Sequence, residues 1–487
     1  MRAEGRVLDK EQIASIVNEH RNNLVIAPAG SGKTTTIVGK VKYLIKTCNV
    51  NYDEILCLSF TNKSAAELRE RIKKELDMEI GVFTFHKLGI NIIANTSLDK
   101  KEYVTDTSVP VINILNELLN DPSFLDKFLR YFYDPKRLAK SKEIFNKEYF
   151  KIIAHAKYLA DYINLIKQEK YEIEELDQRN RDREYLRFIE VITPVYLAYQ
   201  KYLTINNLID FNDMINYATK LIRESSVKVP YKHIIVDEYQ DISLSRFELI
   251  NVIYQINQAT IFCVGDDYQC IFSYAGSKLD LFVNFENYYG EYNLNMITKT
   301  YRFNQMLANI SNEFITKNKQ QFKKQVNSMN DSAIQSLKII PWDDLAVELS
   351  RLPSYASIYF LGRYGHDLMG IENNHLFNIE YFQDEISIYF KRRADLKIGF
   401  MTVHQSKGLE ADYIFILNNK QGRSGFPSEK EDSKIRKILF PRKDFFEEER
   451  RLYYVAMTRA KKCTILLTKE DNQSSFLLEV QKILKKQ

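Results

Sequence analysis

The chain has 487 residues, 45% of them apolar and 27% charged, and 69 lysines and arginines outnumber 64 acidic residues to leave a net charge of +5. That length exceeds what one hydrophobic core serves, so about three or four folding units are expected, while an excess of five positive charges points to a polyanion only if the charges cluster. No apolar run of about 18 residues and no charged-then-apolar leader at Met1-Arg2-Ala3-Glu4 is present, so neither a membrane span nor a secretory signal is expected, and the cytoplasm is.

In chain order, Leu8-Asp9-Lys10-Glu11-Gln12 reads as a helix start with Asp9 as N-cap and Gln12 one turn inside. The Gln12 amide can both donate to and accept from adenine, or it can be a solvated helix residue. Then Leu24-Val25-Ile26-Ala27-Pro28-Ala29-Gly30-Ser31-Gly32-Lys33-Thr34 runs from an apolar strand through a small-residue turn into a helix. Such a turn converges backbone N–H groups on an anion at the positive end of the helix, and Gly30 and Gly32 leave the approach clear. Lys33 supplies charge to the β/γ-phosphates and Thr34 an oxygen for Mg²⁺. Ala27 stands in the first glycine position of this pattern, and an ordinary glycine turn is the competing reading.

Ile55–Phe60 is a second apolar strand followed by a helix from Thr61, and Val82-Phe83-Thr84-Phe85-His86 reads as a third, short strand. Strands alternating with helices imply a parallel sheet whose ligands sit beyond the carboxyl ends of its strands. From Asn91 to Thr204 the texture is helical, rich in Tyr, Leu, Lys and Glu, without a strong strand; the sheet pattern resumes after Leu208-Ile209-Asp210-Phe211-Asn212-Asp213-Met214. Ile234-Ile235-Val236-Asp237-Glu238 is an apolar strand ending in two carboxylates, chemistry that complements Lys33: the Asp for the metal shell, the Glu to orient and deprotonate water. Ile261–Val264 then runs into Gly265-Asp266-Asp267-Tyr268-Gln269, where an uncharged amide can sense a γ-phosphate, and Phe272 and Tyr274 follow as base-stacking or core aromatics. The five cysteines, Cys48, Cys57, Cys263, Cys270 and Cys463, form no CxxC pair and read as core thiols.

The ordered set Gln12, APAGSGKT, LSFTNKSAAELRERI, FTFHKLG, LIDFNDM, VDEYQD, GDDYQCIFSYAG, KTYRFN, FMTVHQSKGLE and EEERRLYYVAMTRA resembles the UvrD/PcrA/Rep group of superfamily 1 DNA helicases. The resemblance implies an α/β fold of two RecA-like parallel-sheet domains of the P-loop NTPase type. Residues 1–91 and 205–295 would form the first, 92–204 a helical insertion, and 296–487 the second, with 364–398 a shortened remnant of a larger inserted domain. It further implies ATP and Mg²⁺ as cofactors. Gln12, the loop Ala27, Pro28, Ala29, Gly30, Ser31, Gly32, Lys33, Thr34 and Thr35, together with Tyr301, Arg302, Glu410 and Arg459, would bind nucleotide. Thr34 and Asp237 would hold the metal, and Lys33, Asp237, Glu238, Gln269, Arg302 and Arg459 would form the catalytic set. Phe60, Asn62, Thr84, His86, Phe272, Tyr274 and His404 would line single-stranded DNA.

The implied activity is ATP-driven 3′-to-5′ movement on single-stranded or tailed duplex DNA. Tyr274-Ala275 stands where the family pattern has Trp-Arg, which weakens the implied grip. The short architecture is similar to the helicase-like subunit of the Gabija anti-phage system, which implies an OLD-family nuclease as partner. A DNA-sensing ATPase that switches such a nuclease, and an RNA helicase, are the competing readings.

Overall fold

The computed structural model describes residues 1–96, 101–133, 149–332, 335–383, 385–442 and 445–486. Strands and helices alternate from the start: α1 (Lys10–Val17), β1 (Asn22–Ile26), α2 (Lys33–Lys46), β2 (Ile55–Ser59), α3 (Asn62–Leu76), β3 (Gly81–Thr84) and α4 (Phe85–Ala94). Four long helices follow, α5 (Ser108–Leu118), α6 (Pro122–Phe132), α7 (Tyr149–Gln168) and α8 (Arg183–Ile205). The alternation then resumes with α9 (Phe211–Arg223), β4 (His233–Val236), α10 (Leu244–Ile256), β5 (Thr260–Gly265) and β6 (Asn293–Met296).

These strands pair in the order β6-β1-β5-β4-β2-β3, every neighbour parallel. A parallel sheet must be covered on both faces, and β2 shows how the sequence does this. Leu56 and Leu58 point into a core shared with α4, α9 and α10, whereas Ile55 and Cys57 face α2 and α3.

The second sheet is built from later elements. These are α11 (Gln305–Ile315), β7 (Leu337–Pro341), α12 (Leu345–Arg351), β8 (Ser357–Gly362), β9 (Phe377–Phe382), β10 (Glu385–Phe390), β11 (Lys397–Thr402), β12 (Ala411–Ile416), α13 (Lys434–Leu439), α14 (Phe445–Met457), β13 (Ala460–Thr468) and α15 (Ser475–Leu484). Its order is β7-β13-β12-β8-β11-β10-β9. The first five strands are parallel, and the β9–β10 hairpin adds antiparallel to the β11 edge. The α/β fold with two parallel-sheet units is therefore as the sequence implies.

Four details differ from the sequence reading. The strand expected over Val82–His86 stops at Thr84, whose hydroxyl accepts from Lys87 N and caps α4, so Phe85 and His86 lie in a helical first turn. The segment 92–204 holds a strand, Glu102–Val104, parallel to Leu208–Asp210; three residues without an apolar run gave no pattern to read. Its core also takes in Ile435, Leu439 and Phe440 from around α13, so it does not pack alone. Residues 97–100 and 134–148 of that segment lie outside the described residues. Finally, Cys48 is exposed just beyond α2, whereas the other four cysteines are buried as core thiols. Among the described residues no helix is long and apolar enough to cross a membrane.

Candidate nucleotide cleft and strand-binding surface

The carboxyl ends of β1, β5 and β4 deliver the phosphate-loop candidates, the Gln269 loop and the Asp237-Glu238 pair to one edge of the first sheet. Ala27 N donates to Gly265 O at 2.8 Å and Asp237 N to Leu58 O at 2.9 Å, which continues the sheet pairing into these loops. Gly30 and Gly32 both adopt positive φ, +76° and +81°, and both are crowded. A Cβ on Gly30 would stand 2.5 Å from Arg302 Cβ, and one on Gly32 would stand 2.9 Å from Gln12 Nε2. Ser31 is buried, and its hydroxyl has no partner among the described residues. A side-chain-free cradle with an orphaned hydroxyl, opening the first turn of α2, fits a phosphate group.

Gln12 sits where its helix start predicts. Asp9 caps α1, and its N–H donates to Gln12 Oε1 while Gln12 N donates to Asp9 Oδ1, a closed capping box. Gln12 Nε2 then donates to Ser31 O at 3.1 Å, tying this helix to the loop. Lys33 Nζ lies 3.8 Å from Glu238 Oε1. Glu238 itself has left-handed backbone, φ +49°, a conformation that non-glycine residues adopt at some energetic expense and that recurs at functional sites. Burial and the neighbouring Glu238 charge push the Asp237 carboxyl up. Burial also opposes ionisation of Glu238, but Lys33, Lys407 and the bond from Gln240 outweigh it and hold that carboxyl well below the usual range. Two adjoining carboxylates of which one resists ionisation suit a site completed by a cation, for which Asp237 at the end of β4 and Thr34 in the first turn of α2 are the candidate ligands. The Thr35 hydroxyl donates to Glu4 Oε2 at 2.8 Å and accepts from Arg71 Nη2 at 3.2 Å, which ties the start of α2 to the N-terminal hairpin and to α3.

The second unit closes the cleft. Thr300 Oγ1 donates to Ala29 O at 2.8 Å and Tyr301 N to Gly30 O at 2.9 Å, which explains the missing side chain at Gly30. Tyr301 OH donates to Asp9 Oδ2 at 3.1 Å. Arg302 donates to Glu410 Oε2 at 2.9 Å and to Thr458 O at 3.2 Å. Arg459, 1% exposed, donates to Val455 O and, at 3.0 Å, to Gln269 Oε1. Burial and the nearby Arg302 push its guanidinium down to about 9, still charged at neutral pH. A cavity of about 540 Å³ beside them is lined by Arg6, Gly30, Tyr301, Arg302, Glu410 and Lys461 among others.

The residues expected against DNA fall into two groups. Phe272, Tyr274 and His404 assemble across the two units, with His404 5.2 Å from the Tyr274 ring centroid and 6.1 Å from that of Phe272. Phe60 and His86 stand at the ends of β2 and β3, Phe60 against Phe85 and beneath Arg246, His86 against Phe211. Asn62 is exposed in the first turn of α3, and the Thr84 hydroxyl accepts the capping bond from Lys87 N, which leaves its own O–H free to donate. Burial pushes the His86 and His404 imidazoles down to about 4 and about 3, so both are neutral rings at physiological pH.

The model of the UvrD/REP helicase N-terminal domain matches residues 8–290, and that of the UvrD-like helicase C-terminal domain matches residues 372–470. The chain belongs to the UvrD/REP helicase family. It is 30% identical to DNA helicase IV of Escherichia coli K12 over 97% of this chain and 70% of that protein. It is 27% identical to a probable DNA helicase of Mycoplasma pneumoniae over 98% of this chain and 86% of that one. To the ATP-dependent DNA helicase PcrA of Leuconostoc citreum it is 26% identical over 67% of this chain and 41% of that protein.

In this family member the sequence reading missed a set of cross-unit contacts on the loops after β4 and β5. Lys407 Nζ donates to both oxygens of Asp241, at 2.7 and 2.6 Å, and to Gln269 O at 2.8 Å. Arg451 Nε donates to Cys270 O at 2.7 Å, and Ser273 N donates to Glu448 Oε1 at 3.0 Å. Lys407 and Glu448 lie inside segments that looked informative, yet a lone charge on a helix or turn reads as solvated until its partner, here 138 to 175 residues away, is known. Arg6, exposed on the N-terminal Arg2–Val7 hairpin, lines the cleft with no motif to announce it.

Proposed function

We propose that this chain is an ATP-driven motor that moves 3′ to 5′ on single-stranded DNA and separates tailed duplexes. The observation that carries the reading is the bond from Arg459 to Gln269 across the two units, beside Lys33 and Glu238. One residue on each side of the seam is thereby poised where a γ-phosphate would lie. Gln12 and Tyr301 are assigned to adenine, Glu410 to ribose, and the loop from Ala27 to Thr34 to the phosphates. Lys33, Arg302 and Arg459 neutralise charge on the transferring phosphoryl group, and Gln269 reports its presence. Asp237 and Thr34 are assigned to Mg²⁺, which when bound neutralises the β- and γ-phosphate oxygens. Glu238 accepts the proton of the attacking water, a role suited to a carboxylate kept ionised.

Domain boundaries at 1–91 with 205–295, 92–204 and 296–487 are part of this reading. Arg302 and Arg459 belong to the later unit and the phosphate loop to the earlier one, so hydrolysis and release open the seam, and Phe272, Tyr274 and His404 feel the change because they span it. Rings without charge stack on any base, so movement is indifferent to sequence.

The narrower reading is a helicase-like subunit of an anti-phage system of the Gabija type with an OLD-family nuclease as partner. Its support is the short 364–398 segment, which is occupied by the β9–β10 hairpin and adds to the second sheet's own core. Strand displacement on 3′-tailed, 5′-tailed and blunt duplexes, with DNA- and RNA-stimulated ATP hydrolysis measured alongside, tests all of this. Displacement of the 3′-tailed duplex alone is expected. Stimulation by DNA without displacement would favour a sensor that switches a nuclease, and stronger stimulation by RNA would favour an RNA helicase.

A further inference from the structure

Beyond α11 the chain turns back across the seam, and Lys324 ends up in the loop that follows β5. Its Nζ donates to Asp266 Oδ1 at 2.5 Å and to Asp267 Oδ1, and lies 3.7 Å from the Tyr268 ring centroid. The side chains of all three charged residues are at most 2% exposed. Backbone bonds seat the same segment: Phe322 N donates to Asp267 Oδ2 at 2.8 Å, and Tyr268 OH donates to Phe322 O at 3.0 Å. Two carboxylates and one ammonium in a closed site form an expensive cluster, and such clusters persist where geometry matters.

Asp266 passes that geometry on. Its Oδ2 accepts from Gln269 Nε2 at 2.7 Å, which uses the nitrogen of the amide and leaves the oxygen for Arg459 Nη2 at 3.0 Å. The reverse orientation would set an NH₂ group against a guanidinium and the amide oxygen against a carboxylate, so Asp266 decides which way Gln269 points. Lys324, in turn, supplies the charge that keeps Asp266 buried and ionised; burial alone would raise that carboxyl, and Lys324 is the leading cause that lowers it.

We propose that Lys324 is a positioning residue for ATP hydrolysis: from the later unit it holds Asp266, which orients the Gln269 amide toward Arg459, so the sensing pair is set when residues 318–326 are seated. This rests on the assignment of Gln269 and Arg459 to the γ-phosphate given above.

The test is a double-mutant cycle on the full chain, with oligodeoxythymidylate as the stimulating strand, reading kcat and KM for ATP, strand affinity and thermal unfolding. Lys324→Met is paired with Gln269→Ala. A second form, Lys324→Met with Asp267→Asn, keeps the cluster's net charge at minus one and so avoids a stranded extra carboxylate if the single variant fails to fold. Either Lys324 form is expected to lower kcat about tenfold or more with KM and strand affinity within about twofold, and to add less than about twofold once Gln269 is already alanine. Losses that multiply in the double variant, or a Lys324 variant of normal kcat beside an impaired Gln269→Ala, would overturn the positioning role and leave the sensor assignment standing. A normal kcat in Gln269→Ala would overturn the sensor assignment and this proposal with it.

Discussion

The nucleotide cleft and the aromatic surface both straddle the two units, yet they are held in opposite ways. In the cleft, Arg302, Arg459, Gln269 and Lys407 each have a protein partner within 3.2 Å, mostly on the other unit or at a strand end. On the surface, Phe272, Tyr274 and His404 meet mainly by ring packing at 5–6 Å, supplemented by a bond between His404 and the Ile271 backbone and by Lys407 over the Phe272 ring, and Tyr274 remains 44% exposed. A charged group in a closed site has to be matched atom by atom, whereas a ring on a half-open face needs only approximate placement. The same seam therefore combines an unforgiving half with a tolerant one.

If that contrast holds, the largest effects come from single polar changes in the cleft. Glu238→Gln keeps the shape and the bond from Gln240 but removes the carboxylate proposed to accept the proton, and a loss of about 10²–10⁴ in kcat is expected, with nucleotide still bound. Near-normal turnover in the folded variant would remove Glu238 from the chemistry. Arg459→Ala is expected to lower kcat by roughly 10³ with little change in nucleotide affinity, because its charge is met only as the transferring group develops charge of its own. An effect confined to KM would place Arg459 in ground-state binding instead.

Smaller effects are expected on the aromatic side. Tyr274→Ala removes one stacking face and should weaken strand binding by about 1–3 kcal/mol, read by anisotropy of a labelled oligonucleotide, while kcat at saturating strand stays within about twofold. Tyr274→Trp should retain or improve binding. If Tyr274→Ala instead lowered kcat as steeply as Arg459→Ala, the two halves of the seam would not be separable.

The same contrast governs what could be read in the residues alone. Gly30, Gly32, Lys33, Asp237 and Glu238 were legible because strand, turn and helix place them by local spacing, and the parallel sheet followed from that alternation. Arg302, Glu410 and Arg459 needed the family resemblance, since nothing local distinguishes a cleft arginine from a solvated one. Lys407, Arg451 and Lys324 stayed hidden for a stronger reason: their partners Asp241, Cys270 and Asp266 lie 166, 181 and 58 residues away, and the bond exists only after both units have folded. The short strand Glu102–Val104 and the switch from strand to helix at Thr84 failed differently. In the first case three residues, Glu102-Tyr103-Val104, were too short a run to show a strand pattern before they pair with Leu208–Asp210, and in the second a capping hydroxyl ended the strand two residues early.

Asp9 offers the finest probe, because one carboxylate serves both units. Its Oδ1 accepts from Gln12 N inside the capping box, and its Oδ2 accepts from Tyr301 OH. Alanine at this position should lower stability by about 0.5–2 kcal/mol through the lost cap, a change read in thermal unfolding. It should also free Gln12 and Tyr301 from their set positions, raising KM for ATP several-fold with kcat nearly unchanged, since neither group touches the transferring phosphoryl. Asp9→Asn separates the two consequences: the amide oxygen can still cap α1, whereas a neutral partner holds the Tyr301 hydroxyl more weakly. Stability close to that of the parent with a raised KM would assign Asp9 to the base end of the cleft. Recovery of both together would make the cap alone responsible, and the ordering of Gln12 and Tyr301 would then owe nothing to the contact across the seam.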